Sequence, residues 1–153
     1  MSMQHMMDDV IEEAKEELKR ADHSIYVTLK YTRTVDVIKN IIKRLISAYD
    51  IALLDALKHL QVKKKIKEIP PVSKKRALFI ASSFPAFKKD IDFYFFLREL
   101  DVIDYTKREE YRKHVALVTV LKGKQIIVDI EAVKKYFDKT VEFVDRLHEL
   151  VWR

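Results

Sequence analysis

Apolar residues recur every three or four positions through most of this chain, and that period predicts helices. Ile11, Ala14, Leu18, Ala21, Ile25 and Leu29 trace one stripe, with Asp8 and Asp9 placed where a helix N-terminus favours acids. The stretch Ile25 to Tyr31 is rich in β-branched residues, but the stripe runs through it unbroken and no turn residue precedes it. Helix is therefore expected to continue. A second stripe runs from Val35 through Ile38, Ile42, Leu45, Tyr49, Leu53 and Leu57 to Leu60, with Thr32 or Thr34 available as its cap. Two long helices joined by so few residues should pack as an antiparallel hairpin. A polar linker follows from Gln61 to Val72, where Pro70 and Pro71 forbid helix.

Ser73 is positioned to cap a short third helix closed by Pro85, and an unusually aromatic fourth begins near Ala86. Thr106-Lys107-Arg108-Glu109 has the form of a capping box and predicts a new helical start at Thr106. The period then switches to that of strands. Val115 to Leu121 and Gln125 to Ile130 flank Lys122-Gly123-Lys124, the pattern of a β-hairpin. Asp129 or Ile130 opens a last helix with Val133, Phe137, Val141, Val144 and Leu147 on its buried side. The expected fold is mainly α, a helical bundle of five to six helices led by the long antiparallel hairpin. One β-hairpin is inserted at about 115–130, and residues 1–153 form a single domain.

Composition sharpens this picture. A single glycine and three prolines leave few positions for tight turns, as long helices require. No cysteine is present, which excludes disulfides, thiolate metal sites and cysteine nucleophiles. No apolar run approaches 18 residues, so no membrane span is expected and a cytoplasmic protein is. The Lys, Glu and Ile content without cysteine is that of heat-adapted proteins.

Charge is concentrated. Nine basic residues (Lys63, Lys64, Lys65, Lys67, Lys74, Lys75, Arg76, Lys88 and Lys89) face one acid, Glu68, between positions 63 and 89. That segment carries +8 of a formal net charge of +6, so the rest of the chain is slightly acidic. A patch of this kind suits phosphate or another polyanion, and equally solubilises a connector. Lys63, Lys64, Lys65, Lys67, Lys74, Lys75 and Arg76 are the candidate nucleic-acid contacts. Most enzyme chemistries find no support. The five histidines His5, His23, His59, His114 and His148 are scattered, and no two share the one-turn spacing of helical metal ligands, so no metal site is expected. No glycine-rich loop cradles a nucleotide phosphate, and no serine sits on a tight turn, so no cofactor is expected. Tyr26, Lys30, Tyr31, Thr32 and Arg33 cluster near the first connection, where tyrosine and arginine can stack on bases or clamp phosphate as well as simply pack. Arg108 and His114 form the one pair with a chemical rationale. Arginine can hold a phosphate, and a histidine nearby can move a proton on a ribose hydroxyl or leaving oxygen.

The chain resembles the HEPN family of small α-helical proteins. Two long helices come first, the second reading Arg44-Leu45-Ile46-Ser47-Ala48-Tyr49-Asp50, and Leu97 to Tyr105 ends in Asp104-Tyr105 before Arg108 and His114 fall within the R-x(4–6)-H motif. It departs from the family in placing Glu109 after the arginine and a β-hairpin after His114. The resemblance implies a homodimer formed through the motif helices. It also implies either metal-independent RNA cleavage, with Arg108 and His114 catalytic, or RNA binding alone. The alternative is a non-catalytic dimeric adaptor or assembly protein that offers its hairpin edge and aromatic helix to a partner.

Overall fold

The computed structural model, which describes residues 3–152, buries the first stripe from Ala14 to Leu29 and the second from Val35 to Leu60, and leaves Phe137 and Val141 of the last half-buried. Helix α1 (Met3–His23) runs through a widened π turn (Ser24–Thr28) into a last short α turn, α2 (Leu29–Tyr31), with helical backbone angles throughout. Ile25 and Leu29 are buried, so packing holds the β-branched stretch helical against its weaker propensity. The helix begins at Met3, which places Asp8 and Asp9 beyond its first turn and not at its start as expected. Nothing in the sequence before Asp8 opposes helix, so it extends further back.

Helix α3 (Val35–Val62) is the axis of the molecule, and α1, α4, α5 and α6 all pack against it. Thr34 caps it, its side chain accepting from the Val37 amide at 3.3 Å. It closes with a left-handed residue: Lys64 has φ +61°, and the Lys64 and Lys65 amides donate back to Gln61 and Leu60. This arrangement satisfies the last carbonyls and is usually built on glycine. The linker beyond it is tied at both ends. Gln61 donates to the Lys67 carbonyl at 3.0 Å, and Arg76 reaches the carbonyls of Pro70 and Pro71 at 2.7 and 3.1 Å.

Helix α4 (Ser73–Ser83) starts without a side-chain cap, so Ser73 does not play the role expected of it. Ser73 is already the first helical residue, and Val72 occupies the capping position. A 3-10 turn (Pro85–Phe87) leads into α5 (Lys88–Val102), which buries Ile91, Tyr94, Leu97 and Leu100 and leaves Phe93, Phe95 and Phe96 half-buried. Helix α6 (Ile130–Val151) is capped by Asp129, which accepts from the Ala132 amide at 2.8 Å. Tyr49 of α3 stacks on Phe143 of α6 at 4.6 Å and meets Tyr94 of α5 at 5.4 Å, an aromatic centre where the three helices converge.

The β part is a three-stranded antiparallel sheet in the order β1–β2–β3: Thr106–Arg108, Ala116–Leu121 and Lys124–Val128. The expected hairpin is its β2–β3 half. Lys122 and Gly123 both have positive φ, 51° and 80°, as a two-residue turn matched to strand twist requires. The helical start expected at Thr106 is corrected: Thr106, Lys107 and Arg108 pair with Val118, Leu117 and Ala116. The capping-box residues were there, but the polar run after them has no apolar face to bury, so no helix could gain from packing.

Because Lys64 carries a side chain where the backbone is left-handed, Lys64→Gly should raise stability by about 1 kcal/mol. Urea unfolding checks this. The midpoint should rise with an unchanged slope, and an unmoved or lower midpoint would refute the strain at this position.

Candidate functional site

The residues singled out in the sequence fall at both ends of α3 and beside its middle, where Arg76 of α4 acts on Asp50. Lys63, Lys64 and Lys65 follow its C-terminus. The segment Arg108–His114 packs at its N-terminus, where the Glu110 carboxylate accepts from the Val35 amide (3.0 Å) and the Tyr111 amide donates to the Arg33 carbonyl (2.6 Å). Between them lie the 28 residues of α3, about 40 Å of helix axis. The lysine-rich linker and the Arg108–His114 segment are therefore two separate places.

At the N-terminal end, Lys107 bridges Asp36 (3.4 Å) and Glu110 (3.6 Å), so strand β1, the loop after it and the first turn of α3 form one ionic cluster. Glu109 and Tyr111 both have positive φ, 51° and 67°. That irregular backbone turns Glu110 and the Tyr111 amide toward α3. Arg108 is exposed and stands opposite Ala116. Side chains alternate along a strand, so Arg108 shares the outer side of the sheet with Val118 and Val120. His114 is also exposed, and it lines a groove of about 210 Å³ with Arg33, Lys113, Asp129, Ile130 and Glu131. Arg108 is not among the lining residues; the arginine in the groove with His114 is Arg33.

On the linker and the first turn of α4, Lys64, Lys65, Lys67, Lys74 and Lys75 are exposed and form no ion pair with a carboxylate among the described residues. Lys63 donates to the Val151 carbonyl at 3.0 Å, and Lys88 pairs with Asp92 at 3.7 Å. Lys74 also lines the largest groove described, about 790 Å³, which Phe95, Phe96, Arg98 and Val102 of α5 share with Leu121 and Lys122 of the hairpin tip. Asp92 and Glu99 are its acids. Beneath it the Tyr94 hydroxyl donates to Asp50 of α3, and Arg98 donates to that same hydroxyl at 3.0 Å. Burial raises the Asp50 carboxyl above its ordinary value, while the Tyr94 hydrogen bond and Arg98 hold it back.

Sequence reasoning missed a buried titratable pair in the core of α3. Asp55 and His59 lie one helical turn apart and are only 8% and 4% exposed. Asp55 borders a narrow crevice with Ala14, Ala52, Val144, His148 and Trp152. His59 lies flat against Trp152, ring centres 5.5 Å apart, and neither of its ring nitrogens completes a hydrogen bond. The Val151 carbonyl faces it but accepts from the Lys63 ammonium. Burial pushes the Asp55 carboxyl up to about 7. Burial first, and then Lys63, holds the His59 imidazole below its ordinary value. The spacing of Asp55 and His59 on the apolar stripe was the available signal. Among the described residues, no group of three or more His, Cys, Asp or Glu is arranged to hold a metal ion, and no helix is long and apolar enough to cross a membrane.

Comparison with family models, curated proteins and solved structures returns no significant match for this chain.

The buried pair has opposed linkage. Asp55, raised in the fold, adds stability that is full below about pH 4 and lost as pH climbs through 7, about 4 kcal/mol in all. His59, lowered in the fold, adds stability that is present above its unfolded value and lost as pH falls below about 6.5. The two slopes oppose each other as pH falls below about 6.5, where His59 begins to charge in the unfolded chain. Asp55→Asn should therefore make stability rise with pH across that window relative to wild type, and His59→Gln should make it fall. Denaturant titrations at several pH values read this directly; parallel profiles for all three proteins would refute it.

Proposed function

We propose that this protein binds single-stranded RNA, or a polyanion of the same character, through the lysine-rich linker and the aromatic groove beside it. The observation that carries this reading is the continuity of Lys74 with both features: it sits in the first turn of the helix after the linker and borders the groove lined by Phe95 and Phe96. Half-buried aromatic rings edged by cations suit bases and phosphates together, since every base can stack and every phosphate attracts an ammonium. The exposed lysines without carboxylate partners support the same reading. Asp92 and Glu99 reduce the local charge, so affinity should be moderate and shared with stacking.

Binding is favoured over cleavage. Arg108 and His114 are both exposed, Arg108 stands outside the groove that holds His114, and the pair lies some 40 Å of helix from Lys63 to Lys65. A HEPN-like protein without catalysis accommodates this, with the antiparallel α1–α3 hairpin as the frame that leads the bundle and a homodimer as its working form. The adaptor reading rests on a different observation. The outer side of the sheet exposes Val120 (60%) and Ile127 (40%), with Val118 half-buried between them. Apolar groups in that position suit a protein partner.

RNA binding measured at several salt concentrations tests the proposal. Lys64/Lys65/Lys67→Ala should weaken binding and lower the slope of log K against log salt by about 2, as loss of three single-strand phosphate contacts implies. Phe96→Ala should weaken binding at every salt concentration with little change in slope. Binding indifferent to salt and to both variants would retire the proposal and favour the adaptor.

A further inference from the structure

We propose that the groove at the N-terminus of α3 is a separate site for a phosphoryl group, held by Arg33, Lys113 and His114. The three side chains come from different parts of the fold. Arg33 sits in the turn between α2 and α3, while Lys113 and His114 end the loop that leads into β2. All three line one groove of about 210 Å³. None forms an ion pair or hydrogen bond through its side chain among the described residues, and the Arg33 Nε is buried without a partner. A buried guanidinium nitrogen without an acceptor is costly, and a phosphate oxygen is the acceptor its planar fork fits best.

The acids at the groove are already engaged. Asp129 spends one oxygen on the Ala132 amide (2.8 Å), and the exposed Glu131 pairs with Lys134 (3.4 Å). The groove therefore offers three basic side chains without partners, beside a charged Asp129 that keeps one free oxygen and a Glu131 already paired with Lys134. Its shape depends on the loop backbone. The bond from the Tyr111 amide to the Arg33 carbonyl fixes the backbone of the turn against the loop. Pre-set geometry of that kind spares the ordering cost of binding. The site does not depend on the linker lysines, since some 40 Å of helix separates it from Lys63 to Lys65.

The ligand class is a phosphate carried either free or at the end of an RNA strand. Inorganic phosphate, a 5′-phosphorylated RNA tetranucleotide and the same tetranucleotide without its end phosphate are titrated into the isotope-labelled full chain by NMR. Saturable shifts at the Arg33 Nε–H and the His114 ring are expected for the first two. In Arg33→Gln the affinity should fall at least about tenfold, or 1.4 kcal/mol. It should stay unchanged in Lys64/Lys65/Lys67→Ala, the variant that disables the linker. Arg33→Lys, which keeps the charge but loses the fork, should fall between. Tighter binding of the phosphorylated strand than of phosphate would assign the site to a strand end, and the reverse to a small phosphate ligand. Absence of saturable shifts at Arg33 and His114 in all three titrations would overturn the proposal. So would shifts that survive Arg33→Gln in a variant with unaltered circular dichroism, or that vanish with the linker lysines.

Discussion

The start of α3 is held by a carboxylate that comes from elsewhere in the chain. The first amides of any helix lack internal partners, and here Thr34 supplies an acceptor for Val37 while Glu110, 75 positions away, supplies one for Val35. Negative charge at that end also meets the positive pole of the longest helix in the molecule. The Tyr111 amide and the Lys107 ammonium close the junction from the other side, onto the Arg33 carbonyl and Asp36. Two residues with positive φ make this possible, and neither is glycine. The junction also accounts for the form of the 106–115 segment. Its polar residues are not a solvent-facing helix but a clamp with β1 at one end and β2 at the other.

That clamp decides which side chains can act together. It brings His114 beside Arg33, and it leaves Arg108 on the outer side of the sheet. The straight run of α3 then sets the distance to everything at its far end. His59, Lys63 and the C-terminus of α6 meet there, and the linker lysines begin there. Helix α6 therefore runs parallel to α3, with its first turn by Arg33 and its last by His59. The linker lysines and the Arg33–His114 groove are thus held apart by rigid helix, while the aromatic groove of α5 lies alongside the stretch of α3 from Asp50 back to Lys39.

Most of the helices were legible because a buried stripe repeats locally. The Val35 to Leu60 pattern, the Thr34 cap and the turn at Lys122-Gly123 all depend on neighbours in sequence, and all three stand. What escaped depends on contacts distant in sequence. Thr106-Lys107-Arg108-Glu109 carries the local marks of a helix start, but pairing with β2 ten residues on outweighs them. Arg33 and His114 meet although 80 positions separate them, and no periodicity records that. Asp55 and His59 were visible at one-turn spacing, yet an acid and a base on an apolar stripe read as tolerated exceptions until Trp152 is seen to cover them. The lysine cluster was legible as charge. Its separation from Arg108 and His114 was not, because only the direction of α3 reveals it.

The central claim is that the loop from Glu109 to His114 is a rigid clamp on α3, and amide hydrogen exchange at Val35 and Tyr111 tests it most directly. The account predicts that both amides are strongly protected, that they open with the same free energy, and that Glu110→Ala exposes both together. Exchange of Val35 and Tyr111 at the rate of an unstructured loop, while the middle of α3 stays protected, would contradict it.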